Sequence, residues 1–220
     1  MKIKCLQLVS LAATTVAAAI LLAGCASPGY KQGDITAANI QATADRLAAL
    51  PGQIDTTLAS LNDLVGKPQA DLGPQYQQFA ANLDQMESSS KQVTADRHAM
   101  GEKGKEFLVT WDEQIAQIQN KDIKALSQSR RATVDQQLLA IKKSYAEACM
   151  AFKPFMADLK DVQKYLSVDL TTGGIAAIKD TVAKSNQDAV PLKVSLTTLA
   201  GNFKSLGVSM SSFTPQPAPQ

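Results

Sequence analysis

The chain has 220 residues, enough for one sizeable domain. Apolar residues make up 45% of it but aromatics only 5%, and 22 basic side chains stand against 20 acidic ones. The whole excess lies in Lys2 and Lys4, so the rest of the chain is charge-balanced. That excludes a protein held to nucleic acid or to anionic headgroups by bulk positive charge, an attraction that scales with the phosphates neutralised.

After the two lysines comes an apolar run, Leu8 to Leu22, broken only by Ser10, Thr14 and Thr15. It is shorter than the ~20 residues a helix needs to cross a bilayer, so it reads as an export leader rather than a permanent span. Leu22-Ala23-Gly24-Cys25 follows, and this tetrapeptide resembles the lipobox of bacterial lipoproteins. The resemblance implies removal of residues 1–24 and lipid attachment at Cys25, whose thiol is the nucleophile able to form a thioether to diacylglycerol. Several acyl chains on one residue anchor a protein stably where one does not. Ala26 stands where, by the same resemblance, an Asp would mark retention in the inner membrane. The expected location is therefore the inner leaflet of the outer membrane, facing the periplasm.

Of the three cysteines, Cys5 leaves with the leader and Cys25 is expected to carry lipid, which leaves Cys149 without a partner for a disulfide. A small, partly buried helix residue is the ordinary reading of such a thiol. Residues 25–33, with one Pro, two Gly and no apolar repeat, read as a lipidated tether.

A first helix is expected after Asp34, a candidate N-cap, with a seam of Leu47, Leu50, Ile54, Leu58, Leu61 and Val65 at steps of three and four. Pro51 falls within it and predicts a kink or a break. Gly66-Lys67-Pro68 ends this stretch, and the next starts near Gly73-Pro74. Its seam runs from Tyr76, Phe79, Leu83 and Met86 to Phe107, Trp111, Ile115 and Ile118. Between them Ser90, Arg97 and Gly104 occupy seam positions, so bending or fraying is expected there. Asn120 offers a turn or cap for a third stretch, Val134 to Leu166, with Pro154 beside its seam. Thr171-Thr172-Gly173-Gly174 breaks the pattern, and a fourth stretch runs from Ile175 to Leu206 with Pro191 as another kink candidate. Asp180 and Lys184 are spaced for an i, i+4 pair. These stripes predict an all-α fold: an elongated antiparallel bundle of three to four long, partly kinked helices with coiled-coil-like heptad seams. It is assigned to residues 34–208, with a disordered Ser/Pro-rich tail over 209–220.

Four segments together carry a family resemblance: Trp111-Asp112-Glu113, Ser127-Gln128-Ser129-Arg130-Arg131, the run from Met150 through Pro154 to Leu159, and Gly174-Ile-Ala-Ala-Ile178. They resemble a bacterial family known as domain of unknown function 2959, over about residues 30–208. The resemblance implies an all-helical fold and no stated activity.

Residues that could carry chemistry are few. His98 with Glu102 four residues on falls short of the three or four ligands a metal site needs. Asp158 and Asp161 are neighbours on one helix rather than acids facing each other across a cleft. Gly101-Glu-Lys-Gly104 lacks the spacing of a phosphate loop, and Trp111 and the phenylalanines sit on seams where core packing explains them. No catalytic, cofactor-binding or metal site is expected, and no enzyme. The expected role is a lipid-anchored periplasmic helical scaffold or spacer of the bacterial envelope. It would act through an envelope protein partner or self-association, without nucleic acid. The alternative is binding of a lipid or other hydrophobic small molecule between the kinked helices.

Overall fold

Three-four spacing of apolar residues puts one stripe on each helix, and the stripes close on one another in the computed structural model, which describes residues 29–212. Cys25, the leader and the end of the tail lie outside the described residues. Four long helices and one short one make up the fold: α1 (Gly29–Gly66), α2 (Gly73–Gln117), α3 (Lys121–Leu166), α4 (Thr172–Ala177) and α5 (Lys179–Met210). Among the described residues there is no strand. At 1.5 Å per residue the long helices measure roughly 57, 68, 69 and 48 Å, so the bundle is elongated as expected.

Each reversal is short, so sequential helices run antiparallel. Asn120 caps α3, its Oδ1 accepting from the backbone N–H groups of Asp122 and Ile123 at 3.0 Å each. Thr171 caps α4 through the N–H of Gly174 at 3.0 Å. The α1–α2 turn is stitched by Gln75. Its amide donates to Asp63 Oδ2 at 2.7 Å and to the Lys67 carbonyl at 3.1 Å, and its Oε1 accepts from the N–H of Gln69 at 3.0 Å.

Around the bundle axis the order is α1, α2, α3, α5. Helix α1 packs on α2 and α5, α3 packs on the same two, and the α2–α3 seam is the sparsest of the four. The core fills with Phe79, Phe155 and Phe203, each at most 1% exposed, and with leucines from all four long helices. Thr36, Thr43, Thr57 and Ser185 are also buried. Each hydroxyl donates to the carbonyl four residues back at 2.8 to 3.0 Å, so a polar side chain is satisfied within its own helix.

Pro51 does not break α1 in two: like Pro154 and Pro191, it lies inside one continuous helix. A mid-helix proline costs about 3 kcal/mol, and here Leu47, Leu50 and Ile54, buried on either side of Pro51, outweigh it. Helix α1 starts at Gly29, not after Asp34, because Gly33 packs where α1 meets Phe107 and the end of α5. Asp34 is therefore no cap. Its carboxylate accepts from the N–H of Ser212 at 2.6 Å and from that residue's hydroxyl at 2.7 Å, tying the end of the described chain to its start.

Lys184 likewise turns away from Asp180, pairing with Asp158 of α3 and with Asp188, both at 2.7 Å. The two carboxylates, Asp158 first, raise its pKa well above the ordinary lysine value. Arg46–Asp96, Lys160–Glu87 and Lys193–Asp55 link the α1–α2, α2–α3 and α1–α5 pairs in the same way. Exposed pairs of this kind contribute about 0–1 kcal/mol each, so they set register more than stability.

Candidate functional site

Ser90, Arg97 and Gly104, small or polar residues on the seam of α2, do not fray the helix, which is continuous from Gly73 to Gln117. Instead they leave the α2–α3 seam underfilled. Ser90 returns its hydroxyl to the Glu87 carbonyl at 2.8 Å, and Ala148 faces the gap from α3 with little volume to offer.

The result is a cleft of about 160 Å³ entered between α2 and α3. Leu47 and Leu50 of α1 and Leu196 and Leu199 of α5 form its floor. Val93 and Phe152 wall it, and the half-buried Cys149 and the exposed Lys153 stand on its α3 side. Tyr145 closes one end. Its hydroxyl donates to Thr94 Oγ1 at 3.2 Å, and the Arg97 guanidinium lies 4.8 Å from its ring centre. Burial of the phenol raises the Tyr145 pKa, outweighing the hydrogen bond to Thr94. Past Tyr145 the seam opens again into a hollow of about 500 Å³ whose rim carries Arg97, His98, Glu102, Lys105 and Lys142.

Chemically the cleft is an apolar slot with a thiol in its wall and an amine at its edge. It suits an apolar group or a segment of chain. His98 is exposed on the rim, and Glu102 pairs with Lys105 at 2.9 Å rather than with the imidazole. That pair pulls the Glu102 pKa below the ordinary glutamate value. Asp158, bound to Lys184, faces α5 rather than joining Asp161 in an acid pair.

A second cluster forms at the end of the bundle where α1 begins and α5 ends. Trp111 meets Phe107 edge to face, ring centres 5.5 Å apart, and donates its indole N–H to Ser127 Oγ at 3.0 Å. Arg131 binds Asp112 at 2.9 Å, and Arg130 donates to the Ser209 carbonyl in the last turn of α5. Two of the segments that carry the family resemblance, around Trp111 and around Arg130, thus dock against each other across α2 and α3. A groove of about 360 Å³ lies beside them, between Tyr30, Phe107, Trp111 and Met210.

Ser90, Arg97 and Gly104 stand out in the sequence as weak seam positions, but nothing local pairs Arg97 with Tyr145 or brings Lys153 to the cleft. The available signal was an Arg in an apolar register, which implies a partner on a neighbouring helix. Cys25 lies outside the described residues.

In comparison with known proteins, the family described as "protein of unknown function (DUF2959)" matches residues 23–198. No curated protein and no solved structure matches the chain.

Proposed function

The chain belongs to the family DUF2959, and from that premise we propose that it is a lipid-anchored, non-enzymatic helical spacer or scaffold of the bacterial envelope. The anchor is Cys25, and the proposed position is the inner leaflet of the outer membrane with the body in the periplasm. The observation that carries this reading is polarity. Helix α1 starts at Gly29, four residues from Cys25, and α5 ends at the same pole, so the bundle has one end beside the anchor and, along the longer α2 and α3, the other some 65 Å away. A rod attached at one end holds contacts at a set height above a membrane, and its long faces are available to an envelope protein or to another copy. Met150, Val190 and Val194, exposed apolar side chains on the outer faces of α3 and α5, are the contact candidates.

Two measurements test it. Cys25→Ser should move the protein from the membrane fraction to the soluble periplasmic fraction and change its gel mobility; an unchanged distribution removes the anchor. Crosslinking in cells followed by mass spectrometry should give specific adducts at the α3 and α5 faces, and a reproducible lone monomer removes the scaffold.

The α2–α3 cleft favours a second reading, in which the bundle binds a hydrophobic small molecule or one acyl chain against the Leu47, Leu50, Leu196 and Leu199 floor. Native mass spectrometry of protein prepared without detergent should then retain a copurifying lipid, and Ala148→Phe, which fills the cleft, should lose it. Protein that arrives without adduct rules this reading out.

A further inference from the structure

We propose that the turn joining α2 and α3, with the exposed Ile123 and Leu126, is a bilayer-contact surface that seats the bundle end-on at the membrane; this rests on the lipid-anchor reading of Cys25.

The first observation is stagger. Gly33 lies level with Phe107, the ring of which would be 3.5 Å from a Cβ at Gly33. From that level α1 continues four residues to Gly29, roughly 6 Å, while α2 continues ten residues to Gln117, roughly 15 Å. The α2–α3 turn therefore projects about 9 Å past the start of α1. Arg130 reaching the Ser209 carbonyl gives the same picture on the other side, since α3 extends from Arg130 back to Lys121 beyond the end of α5.

The second observation is the reach of the anchor. The four links from Cys25 to Gly29 span about 14 Å at most. An anchored Cys25 thus leaves only about 5 Å between the turn and the membrane plane when the bundle stands upright, too little for an intervening protein.

The third is the chemistry of the surface so placed. Ile123 and Leu126, 55% and 71% exposed, sit i, i+3 on one face in the first two turns of α3, and nothing in the bundle covers them. Lys121 flanks them, exposed and able to keep its amine at headgroup level while its stem lies along apolar surface; Lys124 is half-buried and donates to the Ala116 carbonyl at 3.4 Å, and the exposed Asp122 shares the turn. Tyr30, Ile35, Val109 and Val208 are exposed too, but by the same stagger they stand roughly 10–18 Å behind the turn, so the contact rests on Ile123 and Leu126. Exposed apolar side chains beside a lysine suit the interface of a bilayer, where the apolar part enters the acyl boundary and the charge stays wet. The opposite pole carries the same kind of residue in Tyr165 and Val168, but about 65 Å from the anchor.

The test uses the lipidated chain, purified from membranes, with Cys149→Ala and a nitroxide at Leu126→Cys or, as the far-pole control, at Val168→Cys. Each is reconstituted into phosphatidylcholine–phosphatidylglycerol vesicles, floated, and read by power saturation with oxygen and with a nickel chelate. Flotation of both labelled proteins reports the anchor, and helical circular dichroism reports folding. The expected result is a label at 126 several-fold more accessible to oxygen than to nickel, with the reverse at 168. Flotation with equal, water-like accessibility at both positions overturns the contact while leaving the anchor in place. Failure to float overturns the anchor and the contact with it. Dipolar broadening at 126 with water-like accessibility assigns the turn to a second copy instead.

Discussion

Two adjacent glycines at the α3–α5 reversal should respond in opposite ways to the same one-carbon change. A Cβ on Gly174 would stand 2.1 Å from the Asp169 carbonyl oxygen and 3.0 Å from its Cγ, whereas on Gly173 it would meet nothing closer than Thr171 Oγ1 at 3.5 Å, an ordinary contact. Relieving the first clash needs a shift of about 1 Å in backbone, not in the end of a flexible side chain. That shift would disturb a connected set of bonds: Thr171 Oγ1 to Asp169 Oδ1 at 2.7 Å, the Gly174 N–H to Thr171 at 3.0 Å, and Tyr165 OH to Asp169 Oδ2 at 3.1 Å. Loss of the cap contributes about 1 kcal/mol and overpacking about 1–3 kcal/mol, so Gly174→Ala should destabilise by about 2–4 kcal/mol. Gly173→Ala, within the first turn of α4, should be neutral or slightly stabilising through the lower entropy of the unfolded chain. Urea unfolding followed by circular dichroism would place the Gly174→Ala midpoint about 1 M or more below the parent. Equal midpoints for the two variants would falsify the close approach at Asp169.

The core and the exposed turn should differ sharply. Leu159→Ala, at a fully buried position, should cost about 2–5 kcal/mol, while Leu126→Ala should stay within about 0.5 kcal/mol in the same urea experiment; similar losses would contradict the burial pattern. Asp34 accepts two hydrogen bonds from Ser212, backbone first, which hold its pKa below the ordinary aspartate value, and Lys160 and then Lys91 do the same for Glu87. A carboxylate lowered on folding stabilises above its unfolded pKa and loses that stabilisation as pH falls through its folded one. Asp34→Asn should therefore flatten the fall in stability between about pH 5 and about pH 3, and a slope identical to the parent's would exclude the clamp. Cys149, half-buried in the cleft wall, should react with an aromatic disulfide reagent at least about tenfold more slowly in the folded chain than in urea, and an unprotected rate would place it at the surface.

Most of the helical architecture was legible because its signal is local. The seam of the expected fourth stretch, Ile175, Ile178, Val182, Ser185, Ala189, Leu192, Leu196, Leu199, Phe203 and Leu206, is buried throughout, although the chain divides it between α4 and α5 at Ile178, and Asn120 caps α3 where the turn signal stood. Apolar spacing and capping chemistry depend on a few neighbouring residues, so a helix face can be read from the chain alone. The α2 seam shows where that reading thins. Phe107 and Trp111, expected on it, are half-buried, while Leu108 turns into the core, because a straight helix drifts against a strict heptad over many turns.

The rest was decided by tertiary structure, for the reason that it concerns which faces meet. Three prolines sit in unbroken helices because packing on both sides outweighs a missing hydrogen bond. Asp34 became a clamp for Ser212 and Lys184 chose Asp158, since each partner lies far away in sequence and within reach only in the folded bundle. The cleft follows from a weak stretch of one seam lying opposite small residues of another, a coincidence across two helices that neither stretch encodes alone. Sequence by itself determined four apolar stripes and a Cys25 that resembles a lipid attachment site; the stagger that carries the α2–α3 turn past Gly29 arose from unequal helix lengths packed in one register, a relation between helices rather than a property of any one.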